Sequence, residues 1–219
     1  MTIRFGLVGA GGFGREIMPF ARQSVSRQLG VPERDVQVYF IETWEPKHTV
    51  CNGRPLVSLD AFLALQGMHY FNIAIGDGGA RASIVERIGN RAQPVAIISP
   101  NAIVLEANQI GDGAVLCPNS LVTSNSRIGK FFNANPYSSV AHDCVLGDYV
   151  TFAPGARCNG HVHIGDHAYI GAGAVIKQGT YDKPLNIGAN AVVGMGAAVT
   201  RNVPPGVTVV GNPARPQVK

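Results

Sequence analysis

Apolar positions recur along the chain with two different periods, and the change between them falls near residue 96. Before this point, short apolar runs alternate with stretches whose apolar residues have helical spacing. After it, an apolar residue occupies every sixth position. A chain of 219 residues accommodates two small domains. We therefore place a first domain at residues 1–96, a second at 97–204 and a C-terminal tail at 205–219.

The first half of the sequence predicts a small parallel sheet covered by helices. The apolar runs IRFGLVG, VQVYFIE and FNIAIGD predict buried strands. The segments GAGGFGREIMPFARQSV, SLDAFLAL and GGARASIVERIGNR predict helices, and Ser58 is placed as the N-cap of the second. Because strands and helices alternate, the predicted fold of this domain is Rossmann-like α/β.

A glycine cluster follows the first predicted strand and opens the first predicted helix. Gly9, Gly11, Gly12 and Gly14 allow a tight turn whose helix N–H groups point at a phosphate. Glu42 ends the second predicted strand, where an acidic side chain binds a ribose hydroxyl. A lone glycine run is a weak signal, so a tight turn that binds nothing remains the alternative.

The second half carries one apolar residue in each of fourteen successive hexads. These residues are Ile98, Val104, Ile110, Leu116, Val122, Ile128, Ala134, Val140, Leu146, Phe152, Cys158, Ile164, Ile170 and Ile176. The position four residues later is small in most hexads, with Phe132 as an exception. After Ile176, the segment KQGTYDKPLN adds five residues before the register resumes at Ile187. A period of six predicts a parallel β-helix with one hexad per face and three faces per turn.

Composition narrows the possible partners. Charged residues make up 15% of the chain, the net charge is +4, and the basic residues form no run of the kind that binds a polynucleotide. No apolar stretch reaches the length of a membrane span, and the first residues do not resemble a secretory signal. The four cysteines show no CxxC spacing, which favours reduced thiols and a cytoplasmic location.

The segment NPYSSVAHDCVLGD interrupts the monotony of the repeat. His142 and Asp143 follow the inward-facing Val140 by two and three places, which puts them near a corner and facing outward. A histidine is a suitable general base near neutral pH, and an adjacent carboxylate fixes its tautomer. A purely structural role, with His142 bonded to the next coil, is the alternative reading of this pair.

The hexad register and the ending VPPGVTVVGNPARP resemble the hexapeptide-repeat family, whose members form left-handed β-helices and are mostly acyltransferases. The whole chain resembles the nucleotide-sugar acetyltransferases of the bacillosamine (PglD) and sialic-acid (NeuD) type. In that family the motif read here as SSVAHDC carries the catalytic base and its acidic support, which implies His142 and Asp143. The resemblance also implies acetyl-CoA as co-substrate, a nucleotide-linked amino sugar as acceptor, and a homotrimer with active sites between subunits.

The same resemblance assigns binding residues. The nucleotide-sugar site falls on Gly11, Gly12, Phe13, Glu42, Gly76 and Asp77, and Asn135 lines the acceptor site. Acetyl-CoA falls on Thr151, Gly160, Ala172 and Met195, mainly through backbone amides. Some relatives carry a histidine where Thr151 stands.

The predicted reaction is direct N-acetylation of a nucleotide-linked 4-amino-4,6-dideoxy sugar. O-acetylation of sialic acid or another glycan precursor uses the same base and donor and remains an alternative. A non-catalytic scaffold or nucleotide-sugar sensor is the alternative from another class.

Two further chemistries are disfavoured by the register. A Cys–His acyl-enzyme is disfavoured because Cys144 and Cys158 occupy inward positions. A zinc site is disfavoured because His161 and His167 occupy equivalent places on successive faces and point in different directions. We therefore expect no metal, and expect these histidines to be exposed residues of the wall.

Overall fold

The structure is a computed structural model that describes residues 2–217, so Met1, Val218 and Lys219 lie outside the described residues. It divides into two compact units. The first contains residues up to Ile75 together with Ala80–Pro100, and the second contains Gly76–Gly79 together with the residues from Asn101 onward. Within the described residues, no helix combines the length and apolar character needed to cross a membrane.

The N-terminal elements match the predicted alternation of strands and helices. In chain order they are β1 (Ile3–Val8), α1 (Gly12–Leu29), a 3-10 turn (Glu33–Asp35), β2 (Val36–Glu42), β3 (Val50–Cys51), β4 (Arg54–Ser58), α2 (Leu59–Leu63), β5 (Met68–Ile73), α3 (Gly78–Ile88), a second 3-10 turn (Gly89–Arg91), β6 (Gln93–Pro94) and β7 (Ile97–Ile98). The predicted N-cap is present, since Ser58 accepts a hydrogen bond from the Ala61 N–H at 3.4 Å.

One sheet organises the first unit, with strand order β3-β4-β2-β1-β5-β6. All neighbours are parallel except the β3–β4 hairpin. Because β1 is central and the chain leaves it in one direction to β2 and in the other to β5, the strand order reverses beside the carboxyl end of β1. Ligands of open α/β sheets bind at such reversal points.

The glycine turn sits at this carboxyl end of β1. Gly9 has φ +105°, a conformation that L side chains rarely adopt. A Cβ on Gly14 would lie 2.0 Å from the Gly9 carbonyl oxygen, so α1 reaches the turn only because Gly14 has no side chain. These two glycines build the turn.

The second unit continues with short strands. They are β8 (Ile103–Val104), β9 (Gln109–Ile110), β10 (Val115–Leu116), β11 (Leu121–Val122), β12 (Arg127–Ile128), β13 (Asn133–Ala134), β14 (Ser139–Val140), β15 (Val145–Leu146), β16 (Thr151–Phe152), β17 (Arg157–Cys158), β18 (Val162–Ile164), β19 (Tyr169–Ile170), β20 (Val175–Ile176), β21 (Leu185–Ile187), β22 (Val192–Val193), β23 (Ala198–Val199), β24 (Thr208–Val210) and β25 (Arg215–Pro216).

These strands form the three faces of a parallel β-helix. Within the second unit, face one has the order β25-β24-β22-β19-β16-β13-β10, face two β23-β20-β17-β14-β11-β8, and face three β21-β18-β15-β12-β9. Val122 pairs with Val140 and Val140 with Cys158, so one coil is 18 residues, or three hexads. The five-residue insertion shifts the later pairing, and Ile164 lies beside Ile187. The predicted period and its single interruption are therefore observed.

The residues at the sixfold positions fill the interior. From Leu116 to Ile176 all of them are buried, whereas Val104 in the first coil is 40% exposed. The exceptional Phe132 is fully buried, and its ring packs edge-to-face on Phe152 with centroids 5.3 Å apart. The wall also extends past the predicted boundary at residue 204, because β24 pairs in parallel with β22.

Each corner of the helix turns through a residue with positive φ. Such residues recur every six positions from Ala107 to Gly173, and they include Asp143, His161 and His167. Since corners one coil apart are stacked, side chains 18 residues apart lie above one another at an edge of the helix. Phe131, Tyr149 and His167 form such a column, with ring centroids 5.5 and 5.2 Å apart.

Candidate active site

The predicted base and its supporting acid are in contact at a corner after β14. The His142 Nδ1 lies 2.7 Å from Asp143 Oδ2, and the two side chains are 57% and 40% exposed. A carboxylate only accepts hydrogen bonds, so Nδ1 carries the proton of this bond. The Nε2 lone pair of the neutral imidazole is left available as a proton acceptor.

The imidazole of His142 lies against the backbone of the next coil. A Cβ on Gly160 would lie 2.5 Å from His142 Cε1 and 2.6 Å from Nε2. Gly160 therefore provides the space that the ring occupies. This agrees with the register, in which Gly160 follows His142 by one coil.

His161 also approaches the dyad, and the sequence analysis did not assign it there. Its Nε2 lies 3.7 Å from Asp143 Oδ2, and its ring is edge-to-face with that of His142 at 5.2 Å between centroids. The side chain is only 25% exposed, so the expectation of an exposed wall residue is wrong for His161. The available signal was the 18-residue separation from Asp143, which stacks the two corners.

A buried serine fixes the backbone that carries the dyad. Ser126, which is 0% exposed, donates through Oγ to the Ala141 carbonyl at 3.0 Å and accepts from the Cys144 N–H at 3.2 Å. The two bonds therefore hold both ends of the segment that contains His142 and Asp143. The sequence analysis treated Ser126 only as a small residue of the interior.

A pocket of about 280 Å³ opens beside the acid of the dyad. Asp143 and His161 form one side, and Arg127 lies on the same pocket. Tyr181 and Pro184 of the insertion also line it. The five added residues thus form part of the wall of the pocket next to the candidate catalytic groups.

The cysteines next to the dyad are unsuited to nucleophilic catalysis. Cys144 and Cys158 are buried, with their Sγ atoms 3.9 Å apart, and Cys144 Sγ lies 3.2 Å from the Asn159 carbonyl. The hydrogen bond with Cys144, together with burial, raises the pKa of the Cys158 thiol. The hydrogen bond from Cys158 lowers the pKa of Cys144. A buried sulfur has no access to an acyl donor, so the inward placement predicted from the register is confirmed.

The residues assigned to acetyl-CoA fall on two different edges of the β-helix. Gly160 follows β17 on face two, as His142 follows β14, whereas Ala172 and Met195 follow β19 and β22 on face one. Met195 is 82% exposed. One edge of a single chain therefore does not carry the whole set.

Thr151 does not present the backbone amide that the sequence analysis expected. Its N–H donates to the Ala168 carbonyl at 3.0 Å, and its hydroxyl donates to the Gly76 carbonyl at 2.8 Å. The side chain is 2% exposed. Both donors of Thr151 are thus engaged within the chain, and we remove it from the candidate CoA contacts.

Asn135 follows β13 on face one, at the edge that also carries Ala172. Its side-chain amide donates to the Phe152 carbonyl at 2.9 Å, and the residue is half-buried. This bond fixes the orientation of the amide and directs its carbonyl oxygen. The acceptor residue predicted at Asn135 is therefore on a different edge from His142.

The glycine turn of the first unit leaves open space around its central residues. A Cβ on Gly11 or Gly12 would meet no atom within 4 Å, and both residues are exposed. Gly12 is the first residue of α1, and the half-buried Phe13 follows it. Glu42 Oε1 accepts from the Ala10 N–H at 3.3 Å, so the carboxylate predicted to bind ribose lies beside the turn.

The predicted contacts at Gly76 and Asp77 belong to the second unit. They line a pocket of about 500 Å³ together with His167, Tyr169 and Asn190. A Cβ on Gly76 would meet no atom within 4 Å. Both residues are exposed and precede α3, whose N-terminal N–H groups favour an anion.

The dyad and His161 form a group of potential metal ligands, with their ligand atoms within 4.8 Å of one another. Neighbouring ligand atoms around a tetrahedral zinc ion with bonds of about 2.0–2.2 Å lie about 3.4 Å apart. The 2.7 Å between His142 Nδ1 and Asp143 Oδ2 is shorter and has the length of a charge-assisted hydrogen bond. In the arrangement observed, these residues form a hydrogen-bonded dyad.

Comparisons with known proteins agree with this fold and site. The family described as the hexapeptide repeat of succinyl-transferase matches residues 161–201. The curated GDP-perosamine N-acetyltransferase of Escherichia coli O157:H7 is 46% identical over 213 residues, which is 96% of this chain and 95% of the relative. The coiled hexads and the exposed His–Asp pair thus define a hexapeptide-repeat acyltransferase.

Solved structures give the same result over the whole chain. WeeI from Acinetobacter baumannii AYE is 51% identical, has a TM-score of 0.91 and covers 99% of this chain and 100% of its own. A perosamine N-acetyltransferase from Caulobacter crescentus, solved with CoA and GDP-perosamine after replacement of one histidine by asparagine, is 26% identical with a TM-score of 0.84. It covers 98% of this chain and 97% of its own. The chain belongs to the family of sugar-nucleotide N-acetyltransferases that contains GDP-perosamine N-acetyltransferase, as the sequence predicted.

Proposed function

We propose that this enzyme transfers the acetyl group of acetyl-CoA to the amino group of a nucleotide-linked 4-amino-4,6-dideoxy sugar, and that GDP-perosamine is the acceptor to test first. The observation that carries the proposal is the His142–Asp143 hydrogen bond of 2.7 Å, which leaves Nε2 free, in a chain 46% identical to a GDP-perosamine N-acetyltransferase. The complex of the Caulobacter relative with CoA and GDP-perosamine supports both substrates.

In the proposed mechanism the sugar amine attacks the thioester carbonyl while His142 Nε2 accepts a proton from the amine. Asp143 keeps the proton on Nδ1 and stabilises the imidazolium that forms. Collapse of the tetrahedral intermediate breaks the C–S bond and releases CoA, which takes the proton from His142. Backbone N–H groups in the cleft stabilise the oxyanion.

The proposed acceptor site uses the glycine turn for the nucleotide. Gly11, Gly12 and Phe13 face the phosphates, Glu42 binds the ribose, and Gly76 and Asp77 complete the contacts. The open space at Gly11 and Gly12 supports this assignment, because these two glycines are not required by packing. The first domain is then a Rossmann-like nucleotide-sugar-binding domain, as the strand order beside β1 supports.

The proposed assembly is a homotrimer of left-handed β-helices with an active site in each cleft between subunits. The distribution of candidate residues over two edges supports it, because His142 and Gly160 follow face two while Asn135, Ala172 and Met195 follow face one. In a cleft, one subunit supplies the base and its neighbour supplies Asn135 and the remaining CoA contacts. We place the enzyme in the cytoplasm, where acetyl-CoA is available.

CoA release from acetyl-CoA, followed with a thiol reagent, tests the proposal. The acceptors are GDP-perosamine, UDP- and dTDP-linked 4-amino sugars, and sialic acid, with His142→Ala beside the native protein. Turnover of a nucleotide amino sugar that falls about 10²–10⁴-fold in His142→Ala supports it. Turnover of sialic acid alone indicates O-acetylation. If no acceptor turns over, or His142→Ala matches the native enzyme, the assignment of the base is refuted and the scaffold alternative gains support.

A further inference from the structure

We propose that His161 is a positioning residue for this reaction, and that it holds the Asp143 carboxylate in the orientation that supports His142. The proposal rests on the proposed function, since it assigns Asp143 to the support of the base. It concerns the one histidine of the wall that the stacking of corners brings to the dyad.

His161 contacts the dyad through both its backbone and its side chain. Its N–H donates to the His142 carbonyl at 3.1 Å, and its Nε2 lies 3.7 Å from the carboxylate oxygen that accepts from His142. Its ring meets the His142 ring at an interplanar angle of 86°. These contacts place His161 over both members of the dyad.

The geometry gives His161 an electrostatic task. Asp143 has a positive φ of 58°, so its side chain leaves the corner in a direction fixed by the backbone. One oxygen accepts from His142, and a second polar N–H group beside the same oxygen restricts rotation of the carboxylate. The 3.7 Å separation is longer than a hydrogen bond, so the contribution is that of an oriented charge and dipole.

The partial burial of His161 separates this role from that of an ordinary surface histidine. Its side chain is 25% exposed, whereas His142 is 57% exposed. His163, two residues later on β18, is exposed and lies outside the group of potential ligands found within residues 2–217. His163 is therefore the matched control on the same strand.

The main variant is His161→Asn. Asn tolerates positive φ, and this chain already carries Asn119, Asn125 and Asn190 at equivalent corners. The variant therefore keeps the corner and removes the imidazole. We expect kcat to fall about three- to tenfold with little change in KM for acetyl-CoA or the acceptor. His161→Gln, whose amide extends further toward the carboxylate, retains more of kcat, and His163→Asn matches the native enzyme.

A double-mutant cycle tests whether His161 acts through Asp143. In the Asp143→Asn background, His161→Asn has no further effect on kcat, because the carboxylate that it orients is gone. An equal loss in both backgrounds, a native kcat in His161→Asn, or a change confined to KM overturns the proposal. A native protein without activity, or an active His142→Ala, refutes the proposed function instead.

A measurement that does not depend on turnover separates the two failures further. In protein labelled with ¹⁵N at histidine, His142 shows the tautomer with the proton on Nδ1. In His161→Asn we expect this tautomer to lose population and its Nδ1 proton to exchange faster with water. An unchanged His142 spectrum in that variant overturns the positioning role, whatever the acceptor is.

Discussion

Replacing Gly160 by alanine tests the position of the catalytic ring with a single methyl group. The added Cβ would lie 2.5 Å from His142 Cε1, 2.6 Å from Nε2 and 3.0 Å from Nδ1. Ordinary contact begins near 3.4 Å, so the ring moves by about 0.9 Å. Such a shift stretches the 2.7 Å bond to Asp143 beyond hydrogen-bond length.

The expected signature is a large loss of activity with little loss of stability. A displacement of about 1 Å at a catalytic group costs about 10²-fold in rate. The displaced atoms belong to a side chain that is 57% exposed, so the ring can turn toward solvent. Gly160 lacks the positive φ that opposes alanine, and such a Gly→Ala change stabilises by about 0.4–1 kcal/mol through the unfolded chain. We expect the melting temperature to stay within a few degrees of the native value.

The assay measures kcat, both KM values and thermal unfolding for Gly160→Ala beside two controls. In the His142→Ala background the change has no further effect on kcat, because no ring remains to be displaced. Gly165→Ala gives the opposite signature, since its Cβ meets backbone atoms of Ala189 at 2.5 and 2.8 Å and lowers stability. A native kcat in Gly160→Ala refutes the reasoning. A loss seen only as a raised KM for acetyl-CoA also refutes it and points to contact with the donor.

Three further predictions follow from the corner that carries the dyad. Ser126→Ala removes both bonds of a buried hydroxyl and costs about 1–3 kcal/mol of unfolding free energy together with activity; Ser120→Ala, which loses the buried bond to Cys117, costs stability but leaves kcat unchanged in the same urea and rate measurements. A thiol reagent labels Cys51, which is half-buried, before the three buried cysteines, and mass spectrometry of the native protein detects this order; early modification of Cys144 would revive an acyl-enzyme. Incubation with EDTA leaves kcat unchanged because the reaction uses the His142–Asp143 dyad without a metal, and a loss restored by zinc would contradict this.

Much of the fold is a local property of the sequence. The hexad register predicted the coils, because each face buries its own apolar residue and 18 residues return the chain to the same place. The alternation of strands and helices predicted β1, α1, β2 and α3 in the same way. The hairpin of β3 and β4 was missed, although Asn52 and Gly53 carry the positive φ values of a hairpin turn and form the Asn-Gly signal that favours one.

The register also contained more of the site than was read from it. It correctly placed Gly160 one coil beyond His142, and the same step of 18 residues leads from Asp143 to His161. It placed Ser126 one coil before Cys144, but a small inward residue gives no sign in the sequence of which hydrogen bonds its hydroxyl makes.

By itself the sequence determined the repeat, its one interruption, the inward and outward positions, and the His–Asp pair as candidate chemistry. Only the tertiary structure decided that His142 turns Nδ1 toward Asp143, that His161 adds a second contact, and that Thr151 spends both donors within the chain. It also decided that the insertion lines the pocket beside Asp143. The reason is physical: burial and period follow from local composition, whereas rotamers and hydrogen-bond partners depend on neighbours that only the stacked coils bring together.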